Sequence, residues 1–361
     1  MTPKYTRGSI DRIGKLLIAD GISPREREDA LDELNDWRSL HLYPMNVFQV
    51  TLRGYVKRID PKHGIVAQRL KRTPTIIDKL KNRQQEMRLG RMQDIGGLRA
   101  IVSDVAMVRE LEKKYDRSQA RHILRRKYDY IAKPKVSGYR GIHLVYSTVT
   151  PERIDTDGLL IEIQLRTRLQ HIWATAVETV STFFQEPLKS SQGSPKWLDF
   201  FKLVSALFAI EEEEQPHEAF NGVSYDELLK RFKAYVDENS ILTSLDSIVL
   251  AALAYGENKI AEPASRKDLG AYWVIESSYK TKPKRLNIYS FFKGQEETAN
   301  AMYQSLEGSS QSRDTQVVLI SVDSVRKMDK AYPNFFGDLA DFNKEFTRLY
   351  HAAAPSSAAM K

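Results

Sequence analysis

Cysteine is absent from the 361-residue chain. This absence excludes disulfide bonds and every zinc site that uses cysteine ligands. The seven histidines do not compensate, because their spacing is not that of metal ligands. We therefore expect neither a disulfide framework nor a structural zinc site.

Long apolar runs are also missing. The longest, around residues 203–210 and 248–255, are too short to span a bilayer. The N-terminus lacks the apolar core of a secretion signal. We therefore expect a soluble, cytoplasmic protein.

Positive charge, in contrast, is in excess. Lysine and arginine number 55 against 47 aspartates and glutamates, and the pI is about 9.3. This balance favours anionic partners such as nucleotides or nucleic acid, although an ordinary basic surface gives the same excess. The hydrophobic content of 42% is enough for the cores of two or three domains.

A row of polar side chains within a strand is the first functional signal. Residues 161–166 alternate apolar and polar positions, and the polar ones are Glu162, Gln164 and Arg166. A period of two predicts a strand with one polar face. An acid, an amide and a guanidinium in one row suit a binding site, and an edge strand with a wet polar face is the alternative.

A loop upstream of this strand combines cations with aromatic rings. It is punctuated by proline and glycine, and it contains Lys133, Lys135, Tyr139, Arg140 and His143. Lysines beside aromatic rings suit a ligand that carries phosphate and can stack.

These two segments carry a family resemblance. YDYIAKPKVSGYRGIHLVY followed by IEIQLRT resembles the synthetase domain of the RelA/SpoT alarmone enzymes, from about residue 69 to residue 180. The resemblance implies an α/β (α+β) fold, with a mixed-sheet, nucleotidyltransferase-like domain flanked by helices. It also implies transfer of the terminal two phosphates of ATP to a ribose hydroxyl, with Mg²⁺ as cofactor.

The donor side begins at a predicted helix start. Thr73 and Pro74 predict an N-cap followed by a first-turn proline, and the N-terminus of a helix attracts anions. A basic solvent-facing helix is the alternative. The resemblance assigns the segment to ATP, with ligands drawn from Arg69, Lys71, Thr75 and Lys79.

The resemblance also assigns the catalytic centre. It implies that Asp94 and Glu162 hold Mg²⁺ and that Arg99 lines the same cleft. Two carboxylates supply the oxygen ligands that Mg²⁺ prefers. On this interpretation Glu162 is the general base that accepts the proton of the attacking hydroxyl.

The acceptor side is assigned to the tyrosine loop and to the polar row of the strand. Tyr139 is predicted to stack on the acceptor base, with contacts from Lys135, His143, Gln164 and Arg166. The family's usual asparagine and serine are replaced by Ser137 and Gly141, which counts against a guanine-nucleotide acceptor.

Residues 105–127 are predicted to form a charged helix just before the tyrosine loop. Its last turn would carry three cations that could meet an extended anionic acceptor, namely Arg125, Arg126 and Lys127. Positive charge also suits a helix C-terminus without any function. His171 is predicted to pack in a later helix, and residues 211–214 to be a solvated acidic helix end.

The chain is predicted to divide into several parts. They are a helical flank at 1–60, the synthetase core at 61–188, a helical extension at 189–265, a small C-terminal α/β domain at 268–352 and a disordered tail at 353–361. The chain lacks any His-Asp pair, so a hydrolase half is not expected. The C-terminal part resembles the pseudo-zinc-finger-like domain of the fused toxin-antitoxin arrangement called CapRel.

This resemblance yields the functional hypothesis. The chain would be a toxin that uses ATP to pyrophosphorylate the 3′ CCA end of tRNA, as part of phage defence. Tyr332 and Phe335 of the C-terminal domain would cover the donor site until a phage protein, such as a capsid protein, releases them. The alternatives are a small alarmone synthetase that makes (p)ppGpp from ATP and GDP or GTP, and a non-catalytic nucleotide-binding regulator.

Overall fold

The N-terminal part of the chain is helical, as predicted. The computed structural model describes residues 3–82, 87–116, 121–183, 188, 193–242, 245, 272–278, 285–309, 315–322 and 340–353. Its first elements are α1 (Arg7–Ile18), α2 (Pro24–Ser39) and α3 (Leu42–Ile59). Local sequence starts the first two, because Thr6 with Ser9 and Ser23 with Glu26 form capping boxes.

The helices lead into one mixed sheet. Its strands are β1 (Ile65–Leu70), β2 (Gly96–Val102), β3 (Ile123–Asp129), β4 (Ile142–Ser147), β5 (Leu160–Thr167), β6 (Tyr272–Ser278), β7 (Arg285–Phe291) and β8 (Thr315–Val322). The order is β3-β4-β5-β2-β1-β8-β6-β7. The central β2 and β5 are parallel, and their neighbours pair antiparallel. The predicted mixed-sheet α/β fold is confirmed.

The remaining helices connect and cover the strands. They are α4 (Thr73–Asn82), α5 (Val105–Asp116), α6 (Arg168–Phe183), α7 (Pro195–Glu211), α8 (Tyr225–Glu238), α9 (Glu296–Ser309) and α10 (Ala340–Ala352). Helices α3 and α5 bury the apolar face of the sheet in one core, which includes Leu52, Leu98, Val108, Leu144 and Ile163. Because side chains alternate along a strand, the opposite face is left for Glu162 and its neighbours.

A second core joins α6, α7, α8 and α10. Its aromatic centre contains Trp173, Phe200 and Phe232, together with Phe342 and Phe346 from α10. The C-terminal helix is therefore packed onto the helices that follow β5.

The C-terminal strands extend the same sheet. Strand β8 pairs antiparallel with β1, where Arg69 lies opposite Ile320. Tyr272, Val274 and Tyr303 belong to the core that also contains α3 and α5. The predicted boundary at 265–268 lies outside the described residues and stays a prediction. The described strands on its two sides form a continuous sheet.

Three local predictions were wrong. Helix α5 ends at Asp116, and Arg125, Arg126 and Lys127 lie on the exposed edge strand β3 instead of in a last helical turn. A helix does begin at Thr73, as predicted, but Thr73 is the first residue of α4 and not its N-cap, and its hydroxyl contacts Arg38 and Asn35. The side chain of Glu212 is only 7% exposed and pairs with Arg140, so it is not solvated. Among the described residues, no helix has the length and apolar character needed to cross a membrane.

Candidate active site

The site has two parts, which we name the donor half and the acceptor half after the ligands predicted from the sequence, and the donor half is centred on Asp94, in the turn before β2. Both of its oxygens accept hydrogen bonds from ammonium groups, from Lys71 Nζ at 2.8 Å and from Lys79 Nζ at 2.9 Å. Burial would raise the pKa of Asp94, but the two lysines hold it well below its usual range. Burial lowers the pKa of Lys71. Asp94 is thus a carboxylate held between two cations at the end of β1 and on α4.

The acceptor half is a closed ring of hydrogen bonds on the polar face of the sheet. His143 Nδ1 donates to Glu162 Oε1 at 2.8 Å, and Gln164 Nε2 donates to Glu162 Oε2 at 2.8 Å. Arg166 donates from Nη2 to Gln164 Oε1 at 2.8 Å and from Nε to the Tyr139 hydroxyl at 3.2 Å. The same hydroxyl lies 2.5 Å from His143 Nε2, which closes the ring.

The ring shifts the pKa of each titratable member away from its ordinary value. Burial would lower the pKa of His143, but Tyr139 and Glu162 raise it to about 9. Burial would raise the pKa of Tyr139, but Arg166 and His143 lower it to about 8. Burial would also raise the pKa of Glu162, and His143 lowers it instead. The imidazolium between the two acids keeps Glu162 ionised, as a general base requires.

The register of the sheet brings the two halves together. Gly97 of β2 pairs with Glu162 of β5 on one side and with Arg69 of β1 on the other. A Cβ added at Gly97 would meet the Arg69 carbonyl oxygen as its nearest atom, at 3.6 Å. The next pair in the register sets Arg99 opposite Gln164. Gly97, which has no side chain, therefore lies between Arg69 of β1 and Glu162 of β5.

The carboxylates fit the magnesium ion that the family resemblance implies. Asp94 lies in the turn that leads into β2, Glu162 lies on the parallel neighbour β5, and the charge of Asp94 acts on the pKa of Glu162. Mg²⁺ commonly binds to one or two carboxylates, with water and substrate phosphates completing its octahedron. The donor set therefore suits Mg²⁺ together with a nucleotide.

Aromatic rings and one lysine form the wall of the acceptor half. Lys135 Nζ lies 4.2 Å from the centroid of the Tyr130 ring and 5.1 Å from that of Tyr139. Tyr139 and Tyr130 meet edge to face, with centroids 5.8 Å apart. The predicted association of lysine with tyrosine rings is therefore present in the loop.

Residues at the end of helix α7 hold the tyrosine loop in place. Ser205 Oγ donates to the Gly138 carbonyl at 2.5 Å, and Gly138 has φ +88, which favours glycine. Arg140 Nη1 lies 2.7 Å from Glu212 Oε2, and only 4% and 7% of their side chains are exposed. Glu212 also accepts hydrogen bonds from Thr167 and Gln170. The conformation of the loop thus depends on the end of α7.

The structure places most of the predicted site residues on one face of the sheet. The predicted donor residues lie around Asp94, the predicted acceptor residues form the ring, and Lys135 lies beside the ring. Thr75 is half-buried on α4, and its predicted contact with ATP stays a prediction. His171 is buried on α6.

The predicted basic cluster is divided. Lys127 contacts Glu112 at 2.8 Å and Asp116 at 2.9 Å, on the α5 side of the sheet, so it faces away from Glu162. Arg126 pairs with Val145, which pairs with Glu162, so it lies on the face of the ring. Arg125 is exposed on the same strand. Tyr332 and Phe335, the predicted autoinhibitory residues, lie outside the described residues.

Sequence reasoning missed a buried cluster at the start of α4. Arg38 is 1% exposed and donates to the Lys71 carbonyl oxygen, to Thr73 Oγ1 and to Glu307 of α9. Glu307 Oε1 also accepts the backbone N–H of Thr73 at 2.5 Å, and Tyr303 bonds to Arg38. No local sequence pattern reports contacts between residues so far apart in the chain.

A known protein family matches the part of the chain that contains this site. Residues 68–183 match the family described as "Region found in RelA / SpoT proteins". The segment that holds both carboxylates and the ring is therefore a RelA/SpoT-type domain.

Individual relatives cover only part of the chain. Over 118 residues, the chain is 36% identical to GTP pyrophosphokinase YjbM of Bacillus subtilis (strain 168), a match that covers 30% of this chain and 52% of that protein. The chain thus spans about half the length of this curated relative.

Solved structures of similar proteins include two of small alarmone synthetase 1 from Bacillus subtilis. The structure bound to its product pppGpp is 23% identical, covers 48% of this chain and 90% of its own, and has a TM-score of 0.42. The structure bound to AMPCPP is 19% identical, covers 50% and 93% respectively, and has a TM-score of 0.37.

Proposed function

We propose that this chain is a pyrophosphokinase, which transfers the terminal two phosphates of ATP to a ribose hydroxyl. The observation that carries the proposal is the presence of two ionised carboxylates at adjacent parallel strands: Asp94 lies among lysines in the turn that leads into β2, and Glu162 lies within the hydrogen-bonded ring on β5. One side of this arrangement suits an anionic donor, and the other suits a hydroxyl that must lose a proton.

Each residue then has a distinct role. Lys71 and Lys79 leave Asp94 for the phosphates of ATP, and Arg69 and Arg99 lie along the same cleft. Glu162 takes the proton of the acceptor hydroxyl, while Gln164 and Arg166 orient the acceptor beside Tyr139. Mg²⁺ held by Asp94 and Glu162 would offset the charge that develops on the leaving AMP.

We propose tRNA as the acceptor, at its 3′ CCA end. Gly141, where the family's serine is replaced, has φ +147, and a Cβ there would lie 3.3 Å from both the Tyr139 hydroxyl and Arg166 Cγ. A side chain at this position would strain the loop and press on the ring, so the acceptor pocket differs from one built with serine. The exposed Arg125 and Arg126 suit an extended anionic acceptor.

Incubation of the purified protein with labelled ATP and one acceptor at a time tests the proposal. GDP, GTP and deacylated tRNA are the three acceptors, and label on tRNA is the expected result. Label on GDP or GTP alone would support the second candidate, a small alarmone synthetase, which the 36% identity to a GTP pyrophosphokinase favours. Nucleotide binding without any transfer would support a regulator, although such a protein has no need of both carboxylates.

We further propose that the C-terminal part inhibits the donor side, in the manner of a fused CapRel-type toxin and antitoxin. Support comes from Glu307, which places a carboxylate at the N-terminus of α4, where ATP phosphates are expected to bind. A second cover by Tyr332 and Phe335 remains part of the proposal. A phage protein that prefers the open form would then activate the enzyme by shifting the population. Transfer assays of the full chain with and without candidate phage proteins, such as capsid proteins, test this regulation.

A further inference from the structure

Tyr128 and Tyr130 form an aromatic pair beside the acceptor half of the site. Their rings are nearly parallel, at 3°, and their centroids are 5.8 Å apart. Tyr130 in turn meets the rings of Tyr139 and His143 edge to face. The pair therefore continues the aromatic wall outward from the residue that is expected to stack on the acceptor base.

The sheet fixes where Tyr128 lies. It pairs with His143 across β3 and β4, and its hydroxyl donates to Gln93 Oε1 at 3.3 Å. Gln93 directly precedes Asp94. Tyr128 thus extends from the edge strand across His143 toward the donor half, on the face that carries Glu162.

The surroundings of the Tyr128 ring combine one aromatic neighbour with exposed cations. Tyr130 covers one side of it, and among the described residues no second ring and no cation lies against Tyr128. Arg126, two residues earlier on the same face of β3, is exposed, and Lys135 is exposed beside Tyr130. Aromatic rings interleaved with cations are the usual means of holding a single strand, because bases stack on the rings while cations meet the phosphates.

We propose that Tyr128 is a second stacking subsite, which holds the base next to the terminal one on Tyr139, so that the enzyme takes a single-stranded nucleic-acid end in preference to a mononucleotide. The inference rests on the proposed pyrophosphate transfer to an RNA 3′ end. It adds a subsite and a reason for preferring a polymer as acceptor. Arg126 and Lys135 would then meet the phosphates that flank this base.

The alternative is that the two tyrosines only pack on each other at the end of a strand. A packing role and a binding role differ in one measurable respect. Loss of packing would disturb every acceptor equally, because Tyr130 touches His143 and Tyr139. Loss of a stacking subsite would weaken the binding of only those acceptors that are long enough to reach it.

The test compares two acceptors in the full-length protein. The trinucleotide CCA with a free 3′ hydroxyl reaches both subsites, whereas AMP reaches only the first. Stacking of one base contributes about 1–3 kcal/mol, so Tyr128→Ala should lower kcat/KM for the trinucleotide about tenfold to hundredfold. The same substitution should lower kcat/KM for AMP much less than kcat/KM for the trinucleotide, and Tyr128→Phe, which keeps the ring, should retain trinucleotide activity.

A binding measurement separates the subsite from catalysis and from folding. Fluorescence anisotropy of labelled CCA on the Glu162→Gln protein should show weaker binding when Tyr128→Ala is added, with an unchanged circular dichroism spectrum. Should Tyr128→Ala unfold the chain, Tyr128→Leu fills the space without a ring, and the same loss is expected. Equal losses on CCA and AMP, or no loss on CCA, would overturn the subsite alone. Transfer by the unmutated protein to GDP or GTP only would overturn the proposed acceptor as well.

Discussion

The two halves of the site hold their polar groups in different ways. On the acceptor side, the ring that joins Glu162 to Tyr139 draws on residues of β4, β5 and the loop between β3 and β4. On the donor side, the start of α4 is satisfied by Arg38 from the N-terminal helices and by Glu307 from α9. The acceptor ring is thus complete within the RelA/SpoT-type domain, whereas the donor side depends on distant parts of the chain.

This difference assigns catalysis and regulation to different halves of the site. A ring that is closed on itself keeps Glu162 oriented and ionised whether or not a ligand is present. A donor side whose cations and helix start are occupied by internal carboxylates can bind ATP only after those contacts are exchanged. Regulation is therefore expected to act on ATP binding, and acceptor recognition is expected to depend on the loop and on α7.

The largest effect is expected at the two carboxylates. Glu162→Gln and Asp94→Asn should each reduce transfer about 10²- to 10⁴-fold, because removal of a positioned base typically costs that much. The measurement is single-turnover transfer of label from ATP. Glu152→Gln, at an exposed glutamate paired with Arg121, is the matched control and should transfer normally. Wild-type rates in either active-site variant would remove that residue from the mechanism.

The next effect should fall on the acceptor side alone. Glu212→Gln keeps the shape of the clamp but removes the charge that holds Arg140. A hydrogen bond to a charged group contributes about 1.5–3 kcal/mol, so the KM for the acceptor should rise about tenfold or more. The KM for ATP should stay unchanged, because in the described part of the chain no hydrogen bond or ion pair joins Lys71, Lys79 or Asp94 to α7.

The neighbouring residue is the control for this clamp. Glu211 pairs with Arg348 of α10 at 2.7 Å and not with the loop. Glu211→Gln should therefore leave the KM for the acceptor unchanged. A rise in both KM values for Glu212→Gln would mean that the contact supports the fold as a whole and does not position the loop.

A smaller effect of opposite sign is expected on the donor side. Glu307→Gln weakens the contacts of α9 with Arg38 and with the start of α4, so ATP should compete more easily. The apparent KM for ATP should fall about threefold to tenfold, since only part of a charge-assisted hydrogen bond is lost. Glu297→Gln, at an exposed position on the same helix, is the control. An unchanged or raised KM for ATP would contradict inhibition through Glu307.

The features that were predictable from the sequence are those that local patterns encode. The alternation of 161–166 fixes one face of β5, and the capping residues Thr6 and Ser23 start their helices, because both signals act within a few residues. The segment that became β3 was misjudged because Ile123 to Lys127 are all exposed on an edge strand. An exposed edge strand does not need alternating apolar residues. The charged residues of this segment were therefore equally compatible with the end of a helix.

Long-range contacts explain the remaining misses. Arg38 meets Glu307 across 269 positions, and Glu212 meets Arg140 only because α7 returns to the loop. An acidic run at a helix end is usually solvated, and nothing local distinguishes Glu212 from Glu211 and Glu213. The extension of the sheet by β8 likewise depends on pairing with β1, which strand propensity cannot specify.

The last expected effect concerns stability and not transfer, and it is a pH dependence that affects the donor side first. His41 lies beside Arg38 in the core of the N-terminal helices and is 1% exposed, and burial lowers its pKa from 6.5 to about 4. Below pH 6.5 the His41 imidazole binds a proton in the unfolded chain but not in the folded chain. The free energy of unfolding therefore falls as the pH is lowered toward 4. A difference of this size corresponds to about 3 kcal/mol at most.

Hydrogen exchange should therefore show α2 and α3 opening more readily at pH 5 than at pH 7, with a smaller change in β4 and β5. His41→Phe keeps a ring against Trp37 and cannot titrate, so it should reduce this difference, whereas His63→Phe, at an exposed histidine, should not. If lowering the pH increased hydrogen exchange equally in α2, α3, β4 and β5 of the wild-type protein, acid would destabilise the molecule as one unit. The two halves would then not be separately stabilised.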